Sequence, residues 1–221
     1  MIPMAARGSI VVVAVGIFIV SSAARAETRQ EAQIKAAIAW AEPVLGKSCD
    51  FSRLKTGDFA GSGYFEINFR YSGQGQDEPD NIYPLVQLFC HAGTYTTSFA
   101  YLTKDPTTED FKLLAFAEPK LDYDYSDETF TRLKAPPRIV GYLARTELIN
   151  SEFDPATKTI SMSAKWRRQG DAWSSGIWEF VEGEFVLKRY DVDPSYEPSG
   201  DNAQNADPKE FESYKIYPET K

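Results

Sequence analysis

Between Leu148 and Asp193 three turns can be placed from side-chain chemistry alone, and they leave this stretch little choice but an antiparallel sheet. Asp154-Pro155-Ala156-Thr157 is a turn in which Asp bonds forward to the backbone and Pro presets φ at the second position. It joins a strand over Leu148 to Phe153 with one over Lys158 to Arg167. Glu182-Gly183 is a tight hairpin turn, with Gly supplying the positive φ. It pairs Val181 with Glu184, so that Trp178, Phe180, Phe185 and Leu187 share one buried face, Phe180 opposite Phe185 and Trp178 opposite Leu187. The middle turn, Arg168-Gln169-Gly170-Asp171, sets the register by parity. An even loop would put Ile160, Met162, Ala164 and Trp166 on the face away from Trp178 and Phe180, because side chains alternate along a strand. A bulged or odd loop, with Gly170 as its flexible residue, puts all of them on one core face. The odd loop is preferred, and it leaves Trp173 outside, near Lys165 and Arg167.

The chain begins with a different kind of signal. Residues 1–26 combine a basic start at Arg7, an apolar run from Ile10 to Val20 and small residues ending Ala24-Arg25-Ala26. That is the pattern of a cleavable secretory peptide, and the run is too short to span a bilayer comfortably. Cleavage would make Glu27 the first residue, with no cysteine near the cut to carry a lipid and no membrane span left. The expected address is periplasmic or secreted. Losing Arg7 and Arg25 from the 24 basic residues leaves 22 against 32 acidic ones, a net charge of −10. Such a surface repels phosphate backbones and gains nothing from counterion release, which argues against nucleic acid as a partner. A cationic protein remains compatible with it.

The remaining residues, 27–221, suit a single mostly β domain. Ile34, Ile38, Ala41 and Leu45 recur at helical spacing, predicting one N-terminal helix over 28–45 with Pro43 as its stop signal. Alternating strands predict a first sheet half over 64–118 and a second over 139–193, followed by a polar loop at 194–209 and a last strand at 211–217. The fold class is therefore mainly β: antiparallel sheets forming a sandwich or an open barrel of hairpins, with one helix. Cys49 and Cys90 are the only cysteines, and in an exported chain they are expected to pair. The alternative is a reactive thiol beside His91, which strand alternation disfavours.

Few catalytic constellations survive this composition. His91 is the only histidine, so a serine or cysteine nucleophile with a histidine base would have to use it. Gly61-Ser62-Gly63 lacks the flanks of a nucleophile elbow, and the glycines of 57–63 lack the Lys-Ser/Thr ending of a phosphate loop. Zinc sites of several His or Cys residues are excluded by count, and no metal or cofactor is expected. Asp122, Asp124, Asp127 and Glu128 gather carboxylates, but counting from Asp122 places Asp127 and Leu133 where a calcium loop needs Gly and Glu. A carboxylate pair, as in glycosidases, is arithmetically open. A non-catalytic recognition role is favoured. Its sharpest candidate site is the middle turn, where Trp173, Arg167, Arg168 and Asp171 would form an exposed aromatic and cationic patch for a carbohydrate or peptidoglycan fragment.

Two stretches carry a resemblance. Val86 to Leu102, with Cys90, Gly93 and Tyr95, and Asn150 to Leu187, with Phe153-Asp154, Arg167, Gly170-Asp171, Trp178, Gly183, Phe185 and Leu187, resemble a family of exported bacterial proteins known only as a domain of unknown function. The resemblance implies a periplasmic address and no particular reaction. The family pattern has a cysteine after Gly-Asp and another beyond the final strand, where this chain has Ala172 and Tyr196. The loss of both fits one missing disulfide at the middle turn. Gly61-Ser62-Gly63-Tyr64 is also similar to the Ser-Gly-rich loops of lysozyme inhibitors, which makes an acidic inhibitor of a cationic wall hydrolase one concrete form of the recognition role.

Overall fold

The computed structural model describes residues 27–105, 107–166, 172–196 and 213–218. The first element is helix α1 (Arg29–Leu45), opened by a capping box in which Thr28 Oγ1 accepts from the Glu31 N–H and Glu31 returns a bond to the Thr28 N–H. Ile34, Ala37, Ile38, Ala41 and Leu45 form its buried stripe. Pro43 lies in the last turn, the helix ends at Leu45 as its spacing predicts, and the Gly46 N–H closes on the Glu42 carbonyl at 2.9 Å. A single-turn helix α2 (Ser52–Lys55), which no periodicity announced, follows and buries Leu54.

Twelve strands complete the described chain: β1 (Gly63–Phe69), β2 (Asn81–Ala92), β3 (Thr97–Lys104), β4 (Phe111–Leu113), β5 (Phe116–Asp122), β6 (Arg138–Arg145), β7 (Glu147–Ile149), β8 (Glu152–Asp154), β9 (Thr159–Lys165), β10 (Trp173–Val181), β11 (Glu184–Asp193) and β12 (Tyr214–Tyr217). The first five-stranded sheet runs β1-β2-β3-β4, with β7 pairing the other half of the β3 edge. The second runs β12-β11-β10-β9-β8, and β5 with β6 makes a separate two-stranded ribbon. All pairings are antiparallel, and none of the sheets closes into a barrel, so the architecture is mainly β and sandwich-like.

The register of the second sheet follows the parity reasoning. Trp178 pairs with Ile160 and Trp173 with Lys165, and the Trp166 N–H donates to the Ala172 carbonyl, so an odd stretch, 167–171, lies between them. Phe180 faces Phe185 and Trp178 faces Leu187 across a turn with Glu182 and Gly183 both at positive φ, the mirror-image geometry that suits the twist of a hairpin. The last strand is also in place, β12 pairing with β11.

Three boundaries differ from expectation. The strand expected over Leu148 to Phe153 is two strands in two sheets. Asn150, at φ 44°, turns the chain between them, and its side chain accepts from the Thr97 N–H at 2.7 Å and donates to the Ser163 carbonyl at 3.1 Å. One amide thus ties the first sheet to the second, which an alternation pattern cannot show. The two halves along the chain do not map one to a sheet: β7 joins the first sheet, and β5 and β6 pair only with each other. The polar segment at 194–209 begins buried, with Ser195 only 3% exposed and the Pro194 carbonyl accepting from the Tyr125 hydroxyl; residues 197–209 lie outside the described residues.

One core joins the layers. Trp178 is fully buried, its ring 5.6 Å from Phe116, and its Nε1–H donates to the Ala117 carbonyl at 2.9 Å. Cys49 and Cys90 are bonded, closing a loop of 41 residues. By chain entropy that stabilises the fold by about 4 kcal/mol. Beneath Trp178 sits Gly176, where an added Cβ would stand 2.5 Å from Trp178 Cη2. Gly176→Ala is therefore expected to cost about 1–3 kcal/mol through overpacking, read as a lower urea midpoint with unchanged slope.

Candidate functional site

The two tryptophans flanking the middle turn face opposite ways. Trp173 is half-buried on the outer face, between Lys165 of β9 and Asp193 of β11. Arg167, Arg168 and Asp171 lie outside the described residues. Trp166 belongs to the inner face and leads to a feature that strand alternation did not reveal.

That feature is a cleft of about 270 Å³ where the three sheets meet. Glu118 comes from β5, Arg145 from β6, Glu147 and Leu148 from β7, Met162 and Ala164 from β9, and Trp166 stands beside them. It exists because β7 turns away from β6 and β8 turns away from β7, so that edges of three sheets converge without pairing. Apolar Leu148, Met162 and Ala164 form one side. Arg145 Nη2 donates to Glu118 Oε1 at 2.9 Å, and this carboxylate holds the guanidinium pKa above its ordinary value. Glu147 differs in kind: its Oε2 accepts a single long bond, 3.3 Å, from Ser98, and no lysine or arginine among the described residues lies within ion-pair distance of it.

From Trp166 an aromatic row continues over the surface. Trp166 meets Tyr123 edge-on at 5.6 Å, Tyr123 lies 6.2 Å from Tyr125, Tyr125 is 5.0 Å from Phe130, and Phe130 is 5.9 Å from Tyr196. Phe130 is 47% exposed and the other rings are half-buried. Burial raises the Tyr123 hydroxyl well above its usual pKa and Tyr125 to about 12, so both remain protonated donors at any physiological pH. A cation and carboxylates beside flat apolar rings can stack on a sugar ring and bond its hydroxyls.

Other sequence candidates are engaged elsewhere. A cavity of about 590 Å³ near Tyr71, Ile82 and Tyr83 has its lysines already matched, Lys112 with Asp105 and Lys104 with Glu109. Ser62 of the inhibitor-like turn accepts from the Phe89 N–H at 3.0 Å, so its hydroxyl braces β2. His91 Nδ1 lies 2.9 Å from Ser98 Oγ, but the neighbouring carboxylate meets the serine and not the imidazole, unlike a nucleophile-base-orienter chain. The acidic residues around 122–128 do not converge: Asp122 pairs with Arg138 and Asp124 with Lys134.

Asp127 instead organises the loop that carries Phe130. It accepts from the Thr129 hydroxyl at 2.6 Å and from the N–H groups of Thr129, Thr131 and Arg132. These bonds, the Thr129 hydroxyl foremost, outweigh the opposing effect of burial and hold the carboxyl far below the usual range.

Comparison of the chain with protein-family models, curated proteins and solved structures finds no match to any of them.

Because the folded pKa of Asp127 is depressed, its contribution is complete above the unfolded value of about 3.9 and is lost as pH falls through the lower folded value. The amides of Thr129 and Thr131 should therefore keep their hydrogen-exchange protection down to about pH 4 and lose it only below. Asp127→Asn should remove that protection at neutral pH.

Proposed function

We propose that this protein is an exported, non-catalytic recognition module of the bacterial envelope that holds a fragment of cell-wall glycan or stem peptide in the cleft beside Trp166. The observation that carries the reading is the junction of an aromatic row with an Arg145–Glu118 pair and the underused carboxylate of Glu147 in one cleft. The cleft's size suits about one sugar ring or amino-acid residue, below the range of drug-sized pockets. A disulfide, and the lack among the described residues of any helix long and apolar enough to cross a membrane, are compatible with a periplasmic or secreted address.

A second reading has one observation in its favour: Glu118 and Glu147 line the same cleft, as a carboxylate-dependent glycan hydrolase would require. Against it, Glu118 is already committed to the Arg145 guanidinium at 2.9 Å, which leaves one uncommitted carboxylate where such a hydrolase uses two. An acidic inhibitor of lysozyme is the protein-partner version of the recognition role and rests on net charge.

One experiment separates these. The oxidised mature protein is incubated with solubilised peptidoglycan and with several lysozymes, scoring tryptophan fluorescence, co-elution, enzyme inhibition and fragment release. Binding without release is expected. Trp166→Ala and Arg145→Ala should each weaken it about 30-fold, equivalent to ~2 kcal/mol. Loss through Trp173→Ala alone would move the site to the outer face. Inhibition without glycan binding would favour the protein partner, and release abolished by Glu147→Gln would make the protein an enzyme.

A further inference from the structure

We propose that Cys49, Cys90 and Glu147 form, when the disulfide is reduced, a binding site for a thiophilic divalent cation of the zinc type. The site goes beyond the recognition role and does not depend on it. Both sulfurs and a carboxylate oxygen of Glu147 lie within 4.8 Å of one another. Tetrahedral zinc, with bonds of about 2.3 Å to sulfur and about 2.1 Å to oxygen, sets its ligands roughly 3.5–3.8 Å apart. The carboxylate is thus already near coordinating range. The sulfurs must part once their bond is broken, which is within reach of side-chain rotation because bridged Cβ atoms stand about 3.8 Å apart. Two thiolates and a carboxylate are a donor set that favours zinc-like ions over calcium or magnesium.

The fold brings these donors together by two departures from regular pairing. In the β2–β3 ladder Phe89 faces Phe99 and His91 faces Ser98, which leaves Cys90 in a bulge between them, free to reach Cys49 after helix α1. On the other edge of β3, Glu147 pairs with Ala100. Its carboxylate is held from behind: Ser98 Oγ–H donates to Glu147 Oε2 at 3.3 Å, and His91 Nδ1 lies 2.9 Å from Ser98 Oγ and 3.3 Å from the Ser48 carbonyl, so the tautomer with a proton on Nδ1 would leave the serine hydrogen for the carboxylate. Such supporting bonds orient metal ligands. Among the described residues no lysine or arginine neutralises Glu147, so a cation would meet an unmatched charge. A groove of about 510 Å³ lined by Cys49, Asp50, His91, Lys47 and Lys55 reaches the site from the Cys49 side, giving room for a water as fourth ligand.

The chemistry balances with a dithiol as reductant. Its two sulfurs become a disulfide as they give two electrons and two protons to the Cys49–Cys90 bond, leaving two thiols. The cation then replaces both thiol protons, which pass to solvent.

The test uses the mature chain, reduced with dithiothreitol, freed of it without oxygen and titrated with Co²⁺ and then Zn²⁺. One Co²⁺ per chain with sulfur-to-cobalt charge transfer, displaced by Zn²⁺ and missing in the oxidised chain, is expected. Glu147→Gln should lower the affinity about tenfold or more, as should Ser98→Ala, with rescue by Ser98→Thr marking Ser98 as a positioning residue. If the reduced chain loses its near-ultraviolet circular dichroism, Zn²⁺ should restore it. No charge transfer, equal affinity in Glu147→Gln, or failure of Zn²⁺ to restore the fold would each overturn the proposal.

Discussion

Phe116 is the point on which the three sheets close. It is fully buried and touches Tyr101 of the first sheet at 5.5 Å, Trp178 of the second at 5.6 Å and Phe185 at 6.0 Å, all edge-on or tilted as aromatic quadrupoles prefer. The bond from the Trp178 indole to the Ala117 carbonyl fixes the same strand against the second sheet. Removing either ring would cost on the order of 3–5 kcal/mol, a large share of a stability that is typically about 5–15 kcal/mol. Strand β5 is thus a shared wall, and the ribbon it forms with β6 stands in a fixed place although it joins neither large sheet.

The cleft follows from that wall. Since β5 is held by Phe116, Glu118 two residues on is carried to the junction, and Arg145, opposite Phe116 in the ribbon, arrives beside it. Asn150 supplies the other half by turning the chain from β7 into β8, which leaves Glu147 on one sheet and Phe153 on the next. Tyr101 reinforces the corner through its bond to Ser151 at 2.9 Å. Side chains from β5, β6, β7 and β9 therefore line one cleft because the edges of three sheets meet there. Glu147 lies at the boundary of two features, the cleft on one side and the disulfide on the other.

Much of the fold was legible in residues. The hairpin at Glu182-Gly183, the odd stretch between Trp166 and Ala172, the buried stripe of α1 and the Cys49–Cys90 bond all follow from chemistry within a few residues or from there being only two cysteines. The site was less legible. Trp173 was placed correctly on the outer face, but Trp166, read only as a core residue, is the one that reaches the cleft. Glu118, Arg145 and Glu147 carry no local pattern that sets them apart from other charged residues on strands.

The sequence by itself determined the strands, their turns, the faces they bury and the acidic charge of the chain, because each of these depends on side-chain alternation, turn dihedrals or composition. Only the tertiary structure decided which sheet each strand joins, since β7 and β8 read as one alternating run until Asn150 bonds to Thr97 and Ser163 on different sheets. The same long-range bonding decided that Cys90 would bulge toward Cys49 with Glu147 beside it. Such partners are up to about a hundred residues apart, and no local rule of periodicity can choose among strands whose faces are equally apolar.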